Sequence, residues 1–261
     1  MRICFTHKSI QNLCFFIGVV CIISSCRSKD EGILTIATAA NAQFAMEEIA
    51  IEFTRKTSVK TQIIIASSGK HTAQIKAGAP YDVFISADTK FPQMLYEQGL
   101  TVTEPAIYAF GTLVIWSFQD SLILDMPNLL SRNIEHIALP NPKTAPYGFA
   151  ANEALIFFNV YDSASHKLIY GESVAQTNQF IISRAVEIGF TSASSTMAAE
   201  MINKGRWQEV DRNSYSPIAQ AAVVISQSKH LLDAEKFYLF LFSAKAQAIL
   251  QAHGYKILDL E

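Results

Sequence analysis

Short apolar runs alternate with amphipathic stretches along most of this chain. Ile33 to Thr38 is one such run, the pattern of a strand buried on both faces. Phe44, Ile49 and Phe53, with Ala45 and Met46 between them, recur at helical spacing. They predict a helix closing near Thr57, with Asn41 as its N-cap. Val59 to Ala66 is rich in β-branched residues and reads as a second strand. A helix from Gly69 to Ala77 stops at Gly78, Val83 to Ser86 reads as a third strand, and a helix from Thr89 to Gln98 stops at Gly99. This βαβαβα order predicts an α/β protein with a doubly wound sheet.

The pattern continues with strands at Leu113 to Phe118 and His136 to Leu139. A Pro-rich loop, Pro140 to Gly148, then leads into a helix from Phe149 to Val160. Helices at Val174 to Val186 and Ser194 to Asn203 flank a strand at Glu187 to Phe190. Ala221 to Ser226 is a further apolar strand. Asp233 to Ala252 reads as one long terminal helix, with Phe237, Leu241, Ala244 and Ile249 on one face and Gly254 as its stop. Phe157-Phe158 and the run Phe237 to Phe242 fall in helices and are expected in the core. No repeat or linker breaks residues 30–261.

The N-terminus departs from this pattern. Arg2, His7 and Lys8 precede an apolar run, Leu13 to Ile23, that is short for a bilayer span. Ser24, Ser25 and Cys26 follow. Residues 1–25 therefore read as a secretory signal, and Ile23-Ser24-Ser25-Cys26 resembles a lipobox that leaves Cys26 as a lipid-bearing N-terminus. All four cysteines (Cys4, Cys14, Cys21 and Cys26) lie at or before that point. The mature chain then has no thiol for a disulfide or a thiolate metal site.

The chain has 261 residues, half of them hydrophobic, enough for one or two globular domains. Its formal charge is −2, and loss of Arg2 and Lys8 with the signal makes the mature chain more acidic still. With no basic surplus, nucleic acid is not an expected partner.

The candidate chemistry lies in three loops. Thr38-Ala39-Ala40-Asn41, Ala66-Ser67-Ser68-Gly69 and Ala145-Pro146-Tyr147-Gly148 each join an apolar segment to a helix and are rich in small or hydroxyl residues. In open α/β sheets ligands bind beyond the carboxyl ends of strands, where helix N-termini present free N–H groups. Three such loops could surround a tetrahedral anion with neutral donors, although Asn41 and Ser68 could equally be ordinary N-caps. Ser68-Gly69-Lys70 has the look of a phosphate loop. Ile64 stands where the motif needs glycine and His71 where it needs Ser or Thr, which excludes that reading. No serine sits in a Gly-x-Ser-x-Gly elbow, and no histidines form a metal-ligand pair. Asp82 and Asp88 are either a pair of acids or, more plainly, a strand-end turn and a helix cap.

Several of these segments together resemble one family. They are Ala39-Ala40-Asn41, Ser67-Ser68-Gly69-Lys70 with Ala73-Gln74-Ile75, the run Gly78 to Asp88, the loop Asn141 to Gly148, Ile188-Gly189-Phe190, and Pro217-Ile218-Ala219-Gln220. In this order the chain, from Ile33 to Leu258, resembles the molybdate-binding components of bacterial ABC importers. The resemblance implies a periplasmic-binding-protein fold of two doubly wound lobes around a ligand cleft. One lobe would comprise residues 32–111 and 218–261, the other residues 112–217. It implies a monomer that holds molybdate or tungstate without a cofactor and delivers it to a membrane permease and its ATPase. Carried over, the oxyanion donors are Asn41, Ser68, the backbone N–H of Tyr147 and that of Val174. The tyrosine that some members add after the late strand is missing from Gly189-Phe190-Thr191-Ser192, so Thr191 or Ser192 replaces it or the bond is absent. A receptor for sulfate or another oxyanion is the alternative within the class. An enzyme on the same fold, with Asp82 as its acid, is the alternative outside it.

Overall fold

A computed structural model describes residues 32–257. The signal segment and Cys26 lie outside the described residues. The strands are β1 (Leu34–Ala39), β2 (Thr61–Ala66), β3 (Val83–Ile85), β4 (Ala106–Gly111), β5 (Leu113–Ser117), β6 (Ile137–Pro140), β7 (Leu168–Gly171), β8 (Ile188–Ser192), β9 (Arg206–Glu209) and β10 (Ile218–Val224). The helices are α1 (Gln43–Thr57), α2 (Ser68–Lys76), α3 (Lys90–Glu97), α4 (Pro146–Phe157), α5 (Tyr161–Ala164), α6 (Val174–Ile182), α7 (Ala193–Thr196), α8 (Leu231–Leu241) and α9 (Ala244–Ala252).

The strands form two five-stranded sheets, in the orders β2-β1-β3-β10-β4 and β7-β6-β8-β5-β9. In each, three strands run parallel and the last two join antiparallel. The sheets are therefore mixed, where alternation alone suggested parallel pairing. The antiparallel strands are those that carry the chain between sheets. The chain leaves the first sheet after Gly111 and returns at Ile218.

Both faces of the first sheet are covered, and the strand period assigns each residue its side. Leu34, Ile36, Val83, Ile85, Ala222 and Val224 pack under α1, α8 and α9, against Met46, Ile49, Phe53 and Phe237. Ala37, Phe84, Val223 and Ile225 face the other way, onto Ile75 of α2 and Leu95 of α3. The second sheet packs Leu113, Ile115, Ile137, Leu139 and Phe190 against α4. Its reverse face holds Trp116 and Ala138 under Ile181 of α6.

Several sequence expectations change. The long terminal helix is two helices, α8 and α9, broken at Ser243. Its backbone is extended (φ −70°, ψ 152°) and its hydroxyl accepts from Ala246 N–H, a local cap strong enough to restart the helix. The helix expected over Ser194 to Asn203 is only α7 and a 3-10 turn, Ala199–Met201. Phe157 is 56% exposed and Phe158 36%, so this pair is not core; Phe237 is fully buried as expected. Asn41 is not a side-chain N-cap, since Ala42 holds that position and no side chain bonds there.

Candidate functional site

The four expected donors meet at one place. Asn41, Ser68, Tyr147 and Val174 line a single small cavity. The rest of its wall is small and uncharged: four alanines, Ser67 and Pro146. Each donor follows the carboxyl end of a strand. Asn41 lies in a 3-10 turn between β1 and α1, and Ser68 begins α2 after β2. Tyr147 follows Pro146 at the start of α4, and Val174 begins α6 after β7. A wider groove of about 650 Å3 between α1 and β2 contains none of these residues.

Local chemistry explains why these N–H groups face an open space. The first-turn N–H groups of a helix have no acceptor within the helix. At α2 the cap is Ser67, whose hydroxyl accepts from Lys70 N–H at 3.3 Å. Ser68 is thereby freed from capping, and its Oγ accepts from Ala87 N–H at 3.0 Å. That bond occupies a lone pair and leaves the hydroxyl proton available to an acceptor in the cavity. At α6, Ser173 caps Gln176 and leaves Val174 N–H at the first position. At α4, Pro146 brings no N–H of its own, so Tyr147 presents the first one. Each helix start carries about +0.5 of an elementary charge, so the starts of α2, α4 and α6 together favour an anion without any cation.

Asn41 works differently from the sequence expectation. Its Nδ2 donates to Gln220 Oε1 at 2.9 Å and to Tyr255 Oη at 3.0 Å. Both amide protons are thus committed behind the cavity, and the donor this loop can still offer is main-chain N–H. Tyr108 Oη also donates to Gln220 Oε1, at 2.9 Å. Gln220 Nε2 donates to Tyr147 Oη at 3.3 Å. Tyr255 Oη and Ser194 Oγ donate to the Asn41 carbonyl at 2.9 and 2.7 Å. Burial, with neighbouring tyrosines adding to it, pushes the Tyr108 and Tyr147 phenols well above their ordinary range. Burial also lifts Tyr255 to about 12. The network is neutral and puts no negative charge beside an anion.

The lobes are held together around the cavity. Gly69 N–H donates to Thr144 O at 2.9 Å across the cleft, and Lys70 pairs with Glu172 at 3.0 Å. A Cβ on Gly69 would lie 2.9 Å from Thr144 Cα, so this contact requires glycine.

Other candidates fall away from the site. Asp82 precedes β3, at the end of the strand opposite Ala87. It accepts from Thr35 N–H at 2.7 Å and from Ser228 Oγ at 2.6 Å, with His230 Nδ1 at 3.3 Å. It is a structural tie and does not line the cavity, which removes it as a cleft acid. Asp88 accepts from Phe91 N–H and Ser86 Oγ at the start of α3, the turn-and-cap arrangement. Neither Thr191 nor Ser192 lines the cavity. Thr191 donates to Asn178, and Ser192 accepts from Ser195 N–H as the cap of α7. The sequence pattern does not mark Gln220, Tyr108 or Tyr255 as site residues. Gln220 ends one of the segments that carry the family resemblance and is an amide inside an otherwise apolar strand, but neither signal assigns it to the site.

Residues 34–256 match the family model described as bacterial extracellular solute-binding protein. The molybdate-binding protein ModA of Azotobacter vinelandii is 34% identical over 84% of this chain and 88% of its own. ModA of Rhodobacter capsulatus is 33% identical over 86% and 88%. The solved structure of the Azotobacter vinelandii periplasmic molybdate-binding protein superposes with a TM-score of 0.82 at 34% identity, covering 86% of this chain and 99% of that one. With a match across nearly the whole described chain, two mixed α/β lobes and a donor-lined cavity between them, this protein belongs to the bacterial extracellular solute-binding protein family.

Proposed function

We propose that this protein captures molybdate, and tungstate as its near-isostere, outside the cytoplasm and delivers it to an ABC permease with its ATPase. The observation that carries the reading is the convergence of Asn41, Ser68, Tyr147 and Val174, each at or beside a helix start, on one small uncharged cavity. The relatives named for molybdate binding support the choice of ion. The proposed donors are the main-chain N–H groups of Asn41, Tyr147 and Val174 and the N–H and hydroxyl of Ser68. Each charge-assisted bond is worth about 1.5–3 kcal/mol, so a handful hold a dianion without a counter-charge.

Selectivity follows from rigidity. Sulfate carries the same charge in a smaller tetrahedron. Donors fixed by three helix starts and a 3-10 turn cannot all follow it inward, so its bonds are stretched. We assign residues 32–111 and 218–261 to one lobe and residues 112–217 to the other, with closure about the two crossings. Residues 1–25 act as the signal, and Cys26 carries the lipid that keeps the receptor at the membrane. Calorimetric titration with molybdate, tungstate, sulfate and phosphate tests the reading. Molybdate and tungstate should bind at least about 100-fold more tightly than the other two, a difference of roughly 3 kcal/mol. Sulfate binding as tight as molybdate binding would overturn it.

A further inference from the structure

We propose that Gln220 is a positioning residue that couples the oxyanion pocket to lobe closure, through a bond to Tyr147 made across the hinge. This inference rests on the proposed molybdate site. Gln220 lies in β10, two residues past the point where the chain returns to the first sheet. It is fully buried, and three protein groups bond its amide. Oε1 accepts from Asn41 and from Tyr108, both in the first lobe. Nε2 donates to Tyr147 Oη, in the second. One planar amide therefore ties the loop that carries one proposed donor to the side chain of the residue that carries another.

The hinge is shaped around this contact. Gly111, the last residue of β4 and the Cα partner of Ile218 in the ladder, stands at the other crossing. A Cβ on Gly111 would lie 2.1 Å from Tyr147 Oη and 2.7 Å from Gln220 Nε2. The absent side chain leaves the space in which the two groups meet. Tyr147 belongs to α4 and Gln220 to the first sheet, so on this inference the bond forms when the lobes close and breaks when they open. Tyr147 lines the cavity, where its N–H is a proposed donor, while its hydroxyl, at the far end of the ring, reaches Gln220. Ion contact and hinge contact then require the same placement of one residue.

Gln220 is thus expected to act mainly on release. Replacing it with Met keeps the length and removes the polar ends. Three buried partners then lose their bonds, and the closed state loses its tie while the open encounter is little changed. Stopped-flow and calorimetry with molybdate should show the dissociation rate of Gln220→Met raised roughly 10- to 100-fold, with the association rate within about twofold of the parent. Tyr147→Phe keeps the proposed N–H donor and removes the phenol that accepts from Gln220. It should raise the dissociation rate by about 3- to 10-fold. The double variant should be no faster than Gln220→Met, because both changes break the same bond.

Tyr147→Phe is the milder change and tests the inference even where Gln220→Met does not fold. Parental dissociation rates in Tyr147→Phe would overturn the inference. So would additive rate effects in the double variant, or a loss carried by association. If the parent protein itself fails to bind molybdate, it is the site reading that falls.

Discussion

Removing the Ser68 hydroxyl separates its two bonds. In Ser68→Ala the ion loses one proposed charge-assisted donor, worth about 1.5–3 kcal/mol. That predicts a Kd for molybdate raised roughly 10- to 150-fold. The same change leaves Ala87 N–H, which donates to Ser68 Oγ at 3.0 Å, without its acceptor. Ser68 is only 1% exposed, so water cannot readily replace it. This second cost, about 1–3 kcal/mol, falls on free and loaded protein alike. It should appear as a Tm of the free protein lowered by several degrees, at about 2–4 °C per kcal/mol for a chain of this size. The comparison is Ser67→Ala, which removes the neighbouring hydroxyl that caps α2. Loss of a cap costs about 1 kcal/mol of stability and removes no proposed donor to the ion. Isothermal titration calorimetry and thermal melts on the two variants separate the terms. A Ser68→Ala affinity within twofold of the parent would refute the reasoning. Equal losses of affinity in the two variants would refute it as well, since helix fraying alone would then explain both.

Gly69→Ala should fold normally in the open form yet bind molybdate at least about 10-fold more weakly, because its Cβ would meet Thr144 Cα at 2.9 Å only when the lobes close. Calorimetry of the variant beside its melting curve checks this. His71 gives a pH dependence: its Nε2 lies 3.1 Å from Thr38 O, and burial lowers its pKa from 6.5 to about 4. The unfolded chain binds this proton first as pH falls. Stability from His71 is thus complete above about pH 6.5 and is lost progressively down to about pH 4, by roughly 3 kcal/mol in total. A Tm series across that window should slope downward toward acid, and His71→Gln should flatten the slope; an unchanged slope would remove His71 as its source.

The local rules were legible because they are short in range. β1, β2 and β3 with the helices between them follow from apolar runs, stops at Gly78 and Gly99, and β-branched content. β9 was missed because Arg206 to Glu209 is exposed throughout and carries no apolar signal. The split between α8 and α9 was missed because one hydroxyl, on Ser243, outweighs a periodic apolar face. The expected donors could be placed on loops by resemblance, but their individual roles could not. Ser67 and Ser68 are neighbours of the same type, and only packing makes the first a cap and frees the second.

The sequence by itself determined that strands alternate with helices, that small and hydroxyl residues open those helices, and that no charged motif competes for the site. Local propensity and spacing are enough for such statements. Only the tertiary structure decided that Asn41, Ser68, Tyr147 and Val174, spread over more than half the chain, share one cavity. It also decided that the Asn41 amide turns to Gln220 and Tyr255, leaving main-chain N–H as its loop's donor. Those partners lie 179 and 214 residues away along the chain. Gln220 and Tyr255 reach the first sheet only after the chain has built the second and returned, and no local pattern records a contact of that range.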